Sequence, residues 1–245
     1  MKNSFIFSIV AVAGGMLISG CAATTNPYIA AKQLADIPET NHLVKVVSYD
    51  FTRYKVVSYD FTRYTYQCSA VSLGKGLYLT SAYCVDRSNY VIGLDGERHD
   101  VTVVKQGHEY RGGNFYINEM DENWAILYTE DLMLPSAKIS DANGLSHGQT
   151  MCTVYFTQPW LWSSTYIKPT LTPIKACGNT GAHNDLGHII TLENLKQQRG
   201  MFGAPVFDSV GKVTGIITYI DSHNFKNAGI LPVSVFRDAI KETRL

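Results

Sequence analysis

The chain has 245 residues, of which 45% are hydrophobic and 17% charged, a composition typical of a folded globular protein rather than a disordered or fibrous one. It carries 21 basic and 21 acidic side chains, so its formal net charge at pH 7 is zero. Because binding to nucleic acid depends largely on neutralising phosphates, this balance argues against a nucleic-acid partner.

The N-terminus has the pattern of a secretory signal. Lys2 gives a short positive start, residues 5–18 are almost continuously apolar, and small residues precede Cys21. The apolar run of about 14 residues is shorter than the about 20 residues that a permanent membrane helix needs. We therefore predict a signal peptide at 1–20.

The end of this segment, Ile18-Ser19-Gly20-Cys21, resembles the lipobox of bacterial lipoproteins. The resemblance implies cleavage before Cys21 and attachment of acyl chains such as palmitate to that cysteine, which would hold the chain on a membrane. Because Ala22 rather than Asp follows, it implies the outer membrane of a bacterial cell envelope. Residues 21–42 contain two prolines and few large apolar groups, so we expect a lipidated tether there.

Four cysteines remain besides Cys21, at positions 68, 84, 152 and 177. An even number in an exported chain favours two disulfides, and the spacing alone leaves all three pairings open. No cysteines or histidines lie at zinc-binding spacing, so we expect neither a metal nor a cofactor. The two histidines of AHNDLGH at 182–188 are expected in a solvated loop.

From residue 43 the chain is a succession of about eleven short β-rich runs, separated by Gly, Asn, Asp or Ser. Parallel sheets would require crossover helices between the runs, and none is indicated, so the pattern predicts an all-β barrel or sandwich. Only the C-terminal end has helical spacing. Val233, Phe236 and Ile240 recur at three and four residues, which predicts a helix at about 233–243.

A tandem repeat interrupts the start of this domain, since KVVSYDFTRY occupies both 45–54 and 55–64. Two units are too few for a solenoid, which needs at least about three. A repeat of ten residues preserves the alternation of side chains along a strand. Either copy is therefore expected to pair in the same register while the other is extruded.

Three segments in this order resemble the trypsin-like serine protease family: CSAVSLGKGLYLTSAYCVD at 68–86, ENWAILYTED at 122–131 and RGMFGAPVFDSVGKVTGIIT at 199–218. The resemblance covers 43–245 and implies a double β-barrel, with barrel one at about 43–132 and barrel two at about 146–232. It also implies a Cys68–Cys84 disulfide, which leaves Cys152–Cys177 as the second pair.

The residues at the catalytic positions of that family differ from a working triad. Where the family has histidine, aspartate and serine, this chain has Tyr83, Asn123 and Phe202. Phenylalanine has no nucleophilic atom, tyrosine with its usual pKa of about 10 is a poor base at neutral pH, and asparagine cannot stabilise a cation. The resemblance thus implies a pseudoenzyme with the fold of a serine protease, not an enzyme.

Two alternatives stay open. A shifted alignment would make the chain a serine-type endopeptidase or another hydrolase with displaced catalytic residues, drawn from Ser81, His99, His108 and Asp121. A shift of two residues along a strand moves a side chain by about 6.6 Å, which exceeds hydrogen-bond reach and weighs against this interpretation. The second alternative is a purely structural envelope component.

Binding of an unidentified protein or peptide is the expected use of such a cleft. By resemblance, Tyr219 and Ile220 lie on the strand that pairs with substrate, and Ile220 would narrow the primary pocket. Trp160 and Trp162 fall in a connection between strands, where aromatic side chains often anchor an interface. Packing of these two indoles in the core is the competing interpretation.

Overall fold

The described residues form two closed antiparallel β-barrels of six strands each, followed by one α-helix. The computed structural model describes residues 37–49, 65–85, 88–94, 96–107, 121–157, 172–183, 187–192, 200–221 and 226–243. The prediction of an all-β architecture with a C-terminal helix is confirmed. The signal segment, Cys21 and most of the tether lie outside the described residues.

Barrel one has the spatial strand order β1-β2-β3-β6-β5-β4. Side chains on alternate positions of these strands fill its interior, including the fully buried Val44, Val46 and Tyr78. The strands β1 to β6 are Leu43–Tyr49, Thr65–Gly74, Leu77–Thr80, Ser88–Ile92, Arg98–Gln106 and Ala125–Tyr128.

Barrel two has the order β10-β11-β12-β9-β8-β7, and Met151, Tyr155 and Ile190 lie in its core. Its strands β7 to β12 are Thr150–Thr157, Thr172–His183, Gly187–Leu192, Pro205–Phe207, Val213–Ile220 and Asn227–Pro232.

Two details of barrel two differ from the sequence prediction. The runs recognised in the sequence omit β12, because a glycine at 229 and a proline at its end break up the apolar pattern of this short strand. The predicted loop around the histidines is wrong, since His188 pairs with Ala182 in the β8–β9 hairpin. Gly187, the first residue of β9, has φ 64°, a backbone conformation that glycine adopts readily.

A third apolar cluster joins the barrels to the C-terminal helix α1, Val233–Thr243. Val233, Phe236 and Ile240 are buried, as their helical spacing predicts, and the rings of Phe236 and Trp124 lie 6.3 Å apart between centroids. The helix thus packs against residues of both barrels. Within the described part of the chain, no helix is both long and apolar enough to cross a membrane.

The end of the expected tether belongs to the folded domain. Pro38–His42 forms a 3-10 helix in which Thr40 is fully buried. An ion pair of 2.6 Å joins Glu39 Oε1 to Lys175 Nζ on β8, and His42 Nδ1 lies 2.9 Å from the carbonyl oxygen of Pro135. The ordered domain therefore begins before Leu43.

The first copy of the tandem repeat supplies most of β1, from Lys45 to Tyr49, which pairs with β2 on one side and β4 on the other. The second copy lies outside the described residues. Lys45 is only 1% exposed although it is a lysine. Desolvation by burial lowers the pKa of its ammonium group from 10.5 to about 8.

Candidate functional site

The three residues at the expected catalytic positions come together between the barrels. Tyr83 lies in a 3-10 helix after β3, Asn123 precedes β6, and Phe202 lies in the turn before β10. The Tyr83 and Phe202 ring centroids are 5.1 Å apart with an interplanar angle of 38°. Asn123 Oδ1 accepts a hydrogen bond of 3.0 Å from the backbone N–H of Tyr83.

Asn123 is buried, and its amide group has only one orientation that suits its neighbours. Its Oδ1 also accepts a hydrogen bond of 2.6 Å from Ser81 Oγ, while its Nδ2 donates to the carbonyl oxygen of Thr218 at 3.1 Å. A carbonyl oxygen only accepts, so this last bond requires the amide nitrogen. A carboxylate at this position would place an oxygen against the Thr218 oxygen, so the environment matches asparagine rather than aspartate.

A disulfide fixes the segment that carries Tyr83. Cys68 on β2 bonds to Cys84, with the two Cα atoms 6.0 Å apart and both residues buried. Ser81 caps the short helix from its other end, because its hydroxyl accepts a hydrogen bond from the Tyr83 backbone N–H. The predicted Cys68–Cys84 pair is confirmed, and it holds the Tyr83 ring at the cleft.

Ser69 connects the turn around Phe202 to barrel one. The Ser69 backbone N–H donates to the Phe202 carbonyl oxygen at 2.9 Å, and its hydroxyl donates to the Gly200 carbonyl oxygen at 2.8 Å. The same hydroxyl accepts from the backbone N–H of Phe156 on β7 at 3.1 Å. Sequence reasoning missed Ser69, because a serine within an apolar strand carries no pattern that reveals a contact 131 residues away.

Phe202 extends from a barrel-two turn to the apolar cluster of barrel one, against which it packs while remaining half-buried. The backbone of the turn is fixed by Gly203, whose N–H donates to the Ile217 carbonyl oxygen at 2.7 Å. The aromatic pair of Tyr83 and Phe202 therefore bridges the two barrels. Because the rings are in contact, an acyl group cannot lie between them.

The last residues of β11 follow Thr218, whose carbonyl oxygen accepts the hydrogen bond from Asn123. Asp221 N–H donates to the Asn227 carbonyl oxygen at 3.0 Å, which defines a hydrogen-bonded pair between β11 and β12. In an antiparallel ladder the next residue, Ile220, directs its N–H and C=O away from β12. Among the described strands, β10 covers this side of β11 only from Val213 to Ile216.

Tyr219 and Ile220 are both half-buried, and Ile220 packs against the core cluster of barrel two. They directly follow Thr218, whose carbonyl oxygen accepts from Asn123, and their role in binding stays a prediction. Trp160 and Trp162 lie outside the described residues, within the connection from β7 to β8. The second predicted disulfide, Cys152–Cys177, is confirmed and joins the same two strands at the end of their ladder away from that connection.

The residues of the displaced-triad alternative do not form a relay in the described part of the structure. Ser81 is fully buried and donates its hydroxyl proton to Asn123, which is an amide and not a base. Asp121 is exposed, and His99 lies on β5 opposite Val91. His108 lies outside the described residues. No group of three or more His, Cys, Asp or Glu side chains suited to a metal ion occurs among the described residues.

Comparison with known proteins identifies the fold. No protein-family model matches the chain, and no curated protein sequence matches it. The crystal structure of the active form of the Rv3671c protease from M. tuberculosis matches with a TM-score of 0.56 and 15% identity, covering 90% of this chain and 86% of that one.

Inactive forms of the same protease are also similar. One matches with a TM-score of 0.53 and 14% identity, covering 89% of this chain and 95% of that one. A serine-to-alanine mutant in the inactive form matches with a TM-score of 0.51 and 13% identity, covering 86% of this chain and 89% of that one. The predicted trypsin-like double barrel is thereby confirmed as the fold.

Proposed function

We propose that this chain is a membrane-anchored pseudoprotease that binds an extended peptide segment of a partner protein in its cleft and does not cleave it. The observation that carries the proposal is the contact among Tyr83, Asn123 and Phe202. These residues occupy the expected catalytic positions, and they meet as an aromatic pair supported by an amide.

Hydrolysis needs a nucleophile, a base that removes its proton, and a group that orients the base. Phe202 offers no nucleophilic atom, and its ring packs on the Tyr83 ring 5.1 Å away, where a substrate carbonyl would have to approach. The Ser81 hydroxyl already donates to the Asn123 amide oxygen at 2.6 Å. Nothing in this arrangement supports proton transfer at neutral pH.

Peptide binding needs a strand edge and apolar surface in the cleft, but no nucleophile or base. An extended peptide adds to a sheet through main-chain hydrogen bonds, and the N–H and C=O of Ile220 are directed toward such a strand. The half-buried Tyr219 and the aromatic pair offer apolar surface beside that edge. In this proposal Trp160 and Trp162 add contacts from their connection, because indoles are frequent interface anchors.

Anchoring is the second part of the proposal. A lipid on Cys21 would hold the domain at the outer membrane of a bacterial envelope, with residues 22–36 as the link. The two disulfides support export, because such bonds persist in oxidising compartments and are rare in the cytosol. The lipobox pattern supports the cysteine as the site of acylation.

Selection of random ten-residue peptides displayed on phage tests the binding role. We expect enriched extended peptides to bind wild-type protein, and we expect Ile220→Pro to weaken that binding about tenfold, because proline removes the N–H directed at the peptide. Ile220→Ala is the matched control, since it changes the side chain and keeps the N–H; its affinity should stay within about threefold.

Thermal unfolding of each variant would show whether the barrel stays folded. Failure to enrich any peptide, equal binding by Ile220→Pro, or cleavage of the bound peptides would each contradict the proposed role of the cleft.

A further inference from the structure

The two disulfides differ sharply in accessibility. Cys68 and Cys84 are 1% and 0% exposed, whereas Cys152 and Cys177 are both half-buried. The alternation of β7 explains the difference, because the neighbouring Met151 belongs to the core of barrel two and Cys152 therefore points outward. A thiolate can reach a disulfide only where its sulfur atoms are accessible.

The two bonds also differ in what they hold. Cys84 lies in a helix of three residues, and its bond to Cys68 ties that helix to β2. By contrast, Cys152 and Cys177 stand directly opposite each other on β7 and β8, within eight consecutive pairs from Thr150 opposite Asn179 to Thr157 opposite Thr172. The native strand pairing does not depend on the second bond, because ladder hydrogen bonds flank it on both sides.

From this contrast we infer that the Cys152–Cys177 disulfide is a site of thiol–disulfide exchange with an external dithiol, while Cys68–Cys84 is a structural bond. In the first step, one thiolate of the dithiol attacks Sγ of Cys152 or Cys177. A new S–S bond forms to that sulfur as the Cys152–Cys177 bond breaks, and the other cysteine leaves as a thiolate that takes up a proton.

In the second step, the other thiol of the dithiol is deprotonated and attacks the dithiol-derived sulfur of the mixed disulfide. The protein cysteine held in the mixed disulfide leaves as a thiolate and is protonated, and the dithiol becomes a cyclic disulfide. Two electrons have moved from the dithiol to the protein, which now carries two thiols on the outer face of barrel two. Because β7 also pairs with β10 at Thr153 and Cys152, this face stays formed.

Kinetics of reduction test the inference directly. Oxidised full-length protein is incubated with dithiothreitol under native conditions, alkylated with iodoacetamide at intervals, and mapped by peptide mass. We expect Cys152 and Cys177 to be labelled at least about tenfold faster than Cys68 and Cys84, because the buried bond reacts only after the structure opens. Low urea should leave the fast reaction unchanged and accelerate the slow one.

Reduction of both bonds at one rate, or of Cys68–Cys84 first, would overturn the inference. The variant with Cys152→Ser and Cys177→Ser is the matched control and should lose the fast phase only. If that variant does not fold, the urea dependence of the wild-type rates still decides, since a fast phase that rises with urea contradicts exchange from the native state.

Discussion

Gly203→Ala should cost about 4 kcal/mol or more in the free energy of unfolding, enough to deplete the folded domain. Gly203 has φ +74°, a conformation that residues with a Cβ rarely adopt. An added Cβ would also overlap Thr80 Oγ1 and the Ser69 carbonyl oxygen and would lie 2.9 Å from Ser81 N. Ser69, Thr80 and Ser81 are all fully buried where barrel one meets this turn, so they cannot move aside without disturbing the turn that places Phe202.

Gly211→Ala is the control, because Gly211 has φ +76° and no atom within 4 Å of the added Cβ. This change isolates the backbone strain, for which we expect about 1 kcal/mol. Urea unfolding of the two variants measures the difference. Equal urea midpoints for the two variants would contradict the close packing of Gly203 against Ser69, Thr80 and Ser81.

Lys45→Met should raise the free energy of unfolding by about 3 kcal/mol at pH 7 and remove a pH dependence. Lys45 is almost completely buried, and its pKa falls from 10.5 to about 8 in the folded state. Each unit of that shift corresponds to about 1.4 kcal/mol that opposes folding of the charged form. Methionine has a similar length without the charge, so it relieves the cost of desolvation.

The sign of the pH dependence follows from the two pKa values. Between pH 8 and 10.5 the unfolded chain holds the Lys45 proton more strongly than the folded chain, so wild-type stability should rise with pH across this window. Above pH 10 Tyr155 opposes the trend, because burial raises the pKa of its phenol to about 12.

Measurements from pH 7 to 9.5 therefore isolate Lys45. The free energy of unfolding of Lys45→Met should not change with pH in this range. That of Lys212→Met, whose lysine side chain is 40% exposed in the wild type, should rise with pH as in the wild-type protein. A wild-type profile that falls with pH over this range would contradict the buried lysine.

The periodicity of the β-rich runs and the three family-like motifs were together sufficient to predict the fold. Short β-rich runs ended by glycine or polar residues corresponded to most strands of both barrels, since strand length and turn chemistry are local properties. The sequence pattern did not predict β12, because this strand is short and carries Gly229 in its centre. The two disulfides followed once the motif around Cys84 was aligned.

The site was predictable in its residues but not in its contacts. Motif order placed Tyr83, Asn123 and Phe202 in one cleft, where the structure brings them together. The bonds of Ser69 to the Phe202 turn and of Asn123 to Thr218 cross between barrels, and no local pattern records such long-range partners. The burial of Lys45 was also hidden, because its neighbours in sequence resemble those of an ordinary edge strand.

Covalent labelling with a fluorophosphonate tests most directly whether the cleft is inactive. Purified protein and an active trypsin-like protease would be treated side by side and examined by intact mass. In the proposed function Phe202 stands at the nucleophile position, and the Ser81 hydroxyl donates its proton to the Asn123 amide oxygen, which is not a base. We therefore predict no adduct on this protein while the protease is labelled fully. Stoichiometric labelling that disappears in Ser81→Ala, or in a variant of any other single serine, would contradict the pseudoprotease assignment.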